Sequence, residues 1–222
     1  METDALIRAL ADDARPVRPL ARAWLRALLW LAISAPPVFL VVWWHGLEGK
    51  ASMAATADLR MTIEWLAILA TAITAAIAAF SSSVPGASRR WLWVPVVPLA
   101  IWLLTVGQGC VEDYQAMGAA AFALRPDSEC YVPTVLAGII PIAAILTMLR
   151  RGAPLVPRTT LALAGLAVAA VVNLAMLLFH VGDISFMVLV WHVGVVAVFA
   201  GLAGWAGPRI LTWRYVSAAG AP

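Results

Sequence analysis

The chain has 222 residues, of which 63% are apolar and only 12% charged, against about 25% charged in an ordinary soluble domain. A soluble globule of this length cannot hide that much apolar surface. The net charge of +3 comes from arginines at the ends of apolar runs. It does not come from a basic stripe with interleaved aromatics, so direct nucleic-acid binding is excluded. The composition predicts an all-α integral membrane protein with lipid as its solvent.

Residues 1–23 form a lead segment with mixed charge. Glu2, Asp4, Asp12 and Asp13 argue against a cleaved signal peptide, which opens on a short, purely basic stretch. Residues 3–13 read as a short helix capped by Thr3 or Asp4. Leu6, Ile7 and Leu10 share one face at helical spacing, Asp12 and Asp13 follow, and Pro16 and Pro19 force the chain extended around Val17. Two readings fit. In one, this is an anchoring tail whose arginines meet anionic lipid. In the other, it is a docking helix whose small apolar face enters a groove on a cytoplasmic partner. The candidate contact residues are then Leu6, Ile7, Leu10, Asp12, Asp13, Pro16 and Val17.

Six apolar runs then reach the roughly 20 residues that a spanning helix needs: about 24–46, 61–83, 91–110, 131–149, 159–180 and 185–207. The expected architecture is a bundle of six transmembrane helices over residues 24–207, ending in a short tail, 208–222. Pro36, Pro37, Pro95, Pro98, Pro133 and Pro141 fall inside spans, where they predict bends that serve packing or a hinge. Small-residue pairs four apart, Ala75/Ala79, Gly165/Ala169 and Ala197/Gly201, predict close helix contacts.

Lys and Arg are retained on the cytoplasmic side. With the amino terminus inside, twelve of the fifteen basic residues fall inside, and only Lys50, Arg60 and Arg125 fall outside. Both termini are therefore expected in the cytoplasm. Trp24, Trp91, Trp93, Trp205 and Trp213 fall at the inner interface, and Trp43, Trp44 and Trp65 at the outer one. Trp102 and Trp191 lie deeper and are expected to pack between helices.

Cys110 and Cys130 are both placed outside. In a bacterium that means the periplasm, where disulfides persist. Three readings stay open: a structural disulfide joining the third span to the fourth, a redox- or metal-sensing thiol pair, or two inert thiols. His45, His180 and Asp183 lie on the same side. Cys110, Cys130, His180 and a carboxylate together would suit a soft or borderline metal ion. Within the bilayer, Glu64 is expected to reach water and Asn173 to bind between helices. His192 either packs or belongs to a signal path. No HExxH, GxSxG or paired intramembrane carboxylates occur, so no enzyme is expected and no cofactor is implied. A small transporter or channel of unknown substrate is the alternative function, weakly allowed by the prolines and opposed by the scarcity of intramembrane charge.

The run from Leu6 to Leu20, Leu-Ile-Arg-Ala-Leu-Ala-Asp-Asp-Ala-Arg-Pro-Val-Arg-Pro-Leu, resembles the opening of the NrsF family of bacterial membrane regulators. Further features follow in the same order along the chain. They are Ser83-Val84-Pro85-Gly86, Gly107-Gln108-Gly109-Cys110, Cys130, Arg150-Arg151-Gly152-Ala153-Pro154 and Trp191-His192. The resemblance implies an anti-sigma factor of the bacterial inner membrane. Such a protein holds an extracytoplasmic-function sigma factor away from RNA polymerase and releases it on a metal or oxidative stress signal sensed through outer-face cysteines. The family pattern places a further cysteine where this chain has Val181. That departure either removes the family's metal-sensing chemistry from this chain or shifts it onto Cys110, Cys130 and His180.

Overall fold

A computed structural model of the chain describes residues 3–12, 20–47, 59–122, 128–177 and 185–211. Every regular element among them is helical. Helix α1 (Thr3–Asp12) is followed by α2 (Ala23–Leu47) and α3 (Leu59–Ser82), and α4 (Val96–Met117) lies between short 3₁₀ segments at Arg89–Trp93 and Gly118–Phe122. Then come α5 (Ser128–Leu149) and α6 (Pro157–Met176). Last, α7 (Ser185–Met187) passes through a π-helical segment, Val188–Val193, into α8 (Gly194–Ile210).

Among the described residues five stretches are long and apolar enough to cross a membrane: Ala23–Trp44, Leu59–Ser82, Arg89–Phe122, Pro157–Met176 and Ser185–Ile210. The apolar part of α5, Pro133–Leu149, is shorter. The exposed surface carries Leu28, Leu29, Phe39, Leu40, Leu104 and Val97, a density compatible with apolar surroundings.

The centre of the bundle is built from α3 and α6, whose facing sides are largely alanine. Ala72, Ala75, Ala76, Ala78 and Ala79 of α3, and Ala167 and Ala170 of α6, are wholly buried. Side chains this small let backbones approach, and close packing is what holds helices together where the surroundings are as apolar as the interior. Helix α8 lies on α6 by the same device. A Cβ on Gly165 would sit 3.1 Å from Ala200 and Ala203, and one on Gly204 3.2 Å from Ala162. The expected Ala75/Ala79 contact forms. Gly201, by contrast, has nothing within 4 Å, so the close approach on α8 runs through Gly204 and Gly207 instead.

Two prolines expected to bend the third span lie at the start of α4 and do not interrupt its interior. Pro95 is the residue at which α4 begins, and Pro98 falls in its first turn, where the missing N–H would have had no partner anyway. At its other end α4 runs on beyond the predicted boundary at Cys110 and stops at Gly118, whose φ of 59° ends the helix. Glu112 and Asp113 are thus helical residues on the same rod as Cys110. Trp102 is wholly buried as expected, but Trp191 is 43% exposed and faces outward. Glu64 does not reach water either, since it is only 7% exposed and lies 3.7 Å from Arg60.

The helices alternate in direction. At one end the first turn of α2 meets the last residues of α3 and α5, and Ser82 meets Thr160 of α6 at 2.9 Å. Arg22, Arg26, Arg89, Arg90, Arg150, Arg151, Arg158 and Arg209 flank those helix ends. At the other end Arg60 meets Glu112, and Asp113 accepts the backbone N–H of Ser185 at 2.7 Å. The bundle therefore has an arginine-rich end and an acidic end.

Candidate functional site

Among the described residues three places stand out as candidate sites. The first is α1. All ten of its residues are exposed, including Leu6 at 44%, Ile7 at 57% and Leu10 at 64%. They fall on one face because residues i, i+1 and i+4 of a helix do. Asp4 in the first turn suits the positive end of the helix. A ten-residue helix is marginal in water on propensity alone, so an apolar stripe left in solvent is what a partner would complete. Asp12 ends this helix. Asp13, Pro16 and Val17 lie outside the described residues.

The second place is the acidic end. Arg60, at the start of α3, reaches Glu64 one turn on (3.7 Å) and Glu112 of α4 through Nε (3.3 Å). Glu112 also accepts from Gln108 at 2.9 Å. Gly109 is where α4 touches α7, because a side chain there would collide with the Ser185 hydroxyl and the Arg60 guanidinium. Cys110, beside it, is half-buried with its thiol free. Cys130 lies in the first turn of α5, and its side chain is outside the described residues, as are His180, Asp183 and the side chain of His192. His192 itself lies in the π-helical segment. Among the described residues no group of three or more His, Cys, Asp and Glu is arranged to hold a metal ion.

The third place was not singled out by residue type. At the arginine-rich end Arg26 is 94% buried (6% exposed). Its Nη1 donates to Ser83 Oγ at 3.0 Å and its Nη2 to the Met148 carbonyl at 2.7 Å. The guanidinium also lies 4.6 Å from the centre of the Phe80 ring, within cation–π range. The Ser83 carbonyl in turn accepts the N–H of Ala153 at 2.9 Å. Gly152 packs so closely that a Cβ would come within 2.8 Å of Ser83. Two motifs far apart in sequence, Ser83-Val84-Pro85-Gly86 and Arg150-Arg151-Gly152-Ala153-Pro154, are thus one structure, with Arg26 as its third member. The one signal for it in the sequence was an arginine three residues inside an apolar run. Nearby, a cavity of about 90 Å³ opens between the α3–α4 and α5–α6 connections, lined in part by Val84, Trp91, Leu155 and Val156.

No curated protein and no solved structure matches the chain. The sequence model of the NrsF family, described as negative regulator of sigma F, matches residues 10–213. That span takes in the last residues of α1, every longer helix and all the motifs from Ser83 to His192, so the chain belongs to the NrsF family of negative regulators of sigma F.

Proposed function

We propose that this chain is a membrane-embedded anti-sigma factor that holds an extracytoplasmic-function sigma factor at the cytoplasmic face and releases it on a periplasmic metal or redox signal. The family supplies the sigma factor as partner. The observation that carries the docking site is α1, an amphipathic helix whose whole apolar face is in solvent. Burying Leu6, Ile7 and Leu10 in a groove would contribute about 1.5–3 kcal/mol each before the cost of ordering the segment. Asp12, Asp13, Pro16 and Val17 extend the contact, and the cavity beside Leu155 has room for one apolar side chain of the partner.

In this reading the chain crosses the inner membrane six times, with α5 as the sixth span. Residues 1–23 and 208–222 are cytoplasmic, and residues 24–207 form the membrane domain. The arginine-rich end then faces the cytoplasm, as retention of Lys and Arg requires, and the acidic end faces the periplasm. Cys110 and Cys130 are the sensing or disulfide-forming pair, His180 and Asp183 are possible metal ligands, and His192 lies on the signal path. Transport is the weaker reading, because the middle of the bundle is filled by the alanines of α3 and α6 rather than by convergent polar groups.

The test is affinity purification of the detergent-solubilised chain from unstressed cells of its host, beside a chain lacking residues 2–20. A sigma factor that co-purifies with the full chain and is lost from the shortened one supports the reading. No sigma factor with either overturns it.

A further inference from the structure

Helix α1 joins the bundle through the first turn of α2, and that turn is held by a buried cation. Arg26 reaches into the bundle from the turn whose N–H closes on the Arg22 carbonyl at 3.1 Å. Its acceptors are neutral and come from separate segments. Ser83 and Phe80 lie at the end of α3, and the Met148 carbonyl lies at the end of α5. Burying a charge costs several kcal/mol in desolvation, and an apolar side chain of similar volume would stabilise the bundle as well or better. What the arginine adds is geometry. Its planar fork places two donors at fixed angles, which a lysine cannot do. Ser83 is itself immobilised, because its hydroxyl donates to the Phe80 carbonyl at 2.7 Å while its own carbonyl holds Ala153.

We infer that Arg26 is a positioning residue for docking: by clasping the first turn of α2 to the ends of α3 and α5, it fixes the direction in which residues 20–22 leave the bundle and so presents α1 to the sigma factor. This inference rests on the docking reading of α1. It also gives a role to the Ser83–Gly86 and Arg150–Pro154 motifs, which docking alone does not use. Without the clasp, the first turn of α2 would lose its tie to the ends of α3 and α5, and ordering one or two further residues on binding would weaken the complex about tenfold.

The test places nitroxide labels at Leu20→Cys and Leu155→Cys, both exposed, in the full chain with Cys110→Ser and Cys130→Ser. It reads the label–label distance in lipid nanodiscs, and sigma-factor affinity in parallel on unlabelled chains that keep Leu20, Leu155, Cys110 and Cys130. The expected result is a narrow distance distribution in the parent and a broad one in Arg26→Gln, with about tenfold weaker binding. Trp30→Phe is the control. It removes a neighbouring hydrogen bond, from Trp30 Nε1 to the Pro141 carbonyl at 3.0 Å, and should lower stability while leaving both readouts unchanged. Ser83→Ala, a milder change, should broaden the distribution in the same direction. An equally narrow distribution in Arg26→Gln overturns the inference. So does an equal loss of affinity in Arg26→Gln and Trp30→Phe, which would make Arg26 a stability residue only. Failure of the docking reading is told apart, because the distance measurement needs no partner: it would show as no binding in the parent.

Discussion

The two ends of the bundle are both tied by an arginine, and the ties are of different kinds. At the arginine-rich end Arg26 is buried, its acceptors are neutral and fixed, and glycines press backbone against backbone at Gly152 and Gly207. At the acidic end the Arg60 side chain is 25% exposed and its partner Glu112 51% exposed. An ion pair that open to water is worth less than about 1 kcal/mol and weakens with salt. One end is a fixed joint and the other a clasp that a modest change can loosen. The asymmetry suits the proposed reading, in which one face senses and the other holds the partner.

Steric substitutions should break this contrast most visibly. Gly152→Ala pushes a methyl group against the Ser83 backbone and should destabilise by about 1–3 kcal/mol. Gly107→Ala meets nothing within 4 Å and should leave the thermal midpoint in detergent unchanged or slightly raised. Equal midpoints for the two variants would remove the rigid-joint account. At the acidic end, Asp113→Ala leaves the Ser185 N–H without its carboxylate acceptor and should cost about 1.5–3 kcal/mol, the range for hydrogen bonds to charged groups. The loss should be confined to the start of α7, as seen by amide exchange at Ser185. Glu112→Gln should have the smallest effect, below about 1 kcal/mol. The difference from the parent should vanish at high salt; one that persists there would mean the pair is more buried than its exposure indicates.

Much of this was legible in the sequence because lipid imposes strict rules. Run length located five stretches long and apolar enough to cross a membrane among the described residues, and the spacing of Leu6, Ile7 and Leu10 put them on one side of α1, a helix whose residues are all exposed. The misplaced details have local physical causes. Prolines were read as bends, but Pro95 and Pro98 sit where α4 begins and so cost no hydrogen bond. Hydropathy stopped the third span at Cys110, whereas the helix continues through polar residues until Gly118 supplies a positive φ. Glu64 was expected in water from its place near the outer end of its span; its pairing with Arg60 one turn earlier is something that hydropathy does not score. The pairing that makes the Arg26 joint was not legible, since its parts lie 57 and 122 residues away from it and one of them is a main-chain carbonyl with no side-chain signature; only an arginine inside an apolar run hinted at it. Cys110 was singled out by residue type, whereas the close approach of Ser185 and Arg60 to its neighbour Gly109 has no signal in the local sequence.

The central claim, that the exposed face of α1 holds the sigma factor, is tested most directly by measuring sigma-factor affinity of the full chain in nanodiscs with Leu6, Ile7 and Leu10 all changed to Ser. The account predicts a loss of at least about a hundredfold, because three apolar anchors are removed from one groove, with the thermal midpoint of the bundle unchanged since α1 does not pack on it. Affinity within about twofold of the parent would contradict the account and move the docking site to the connections at the arginine-rich end.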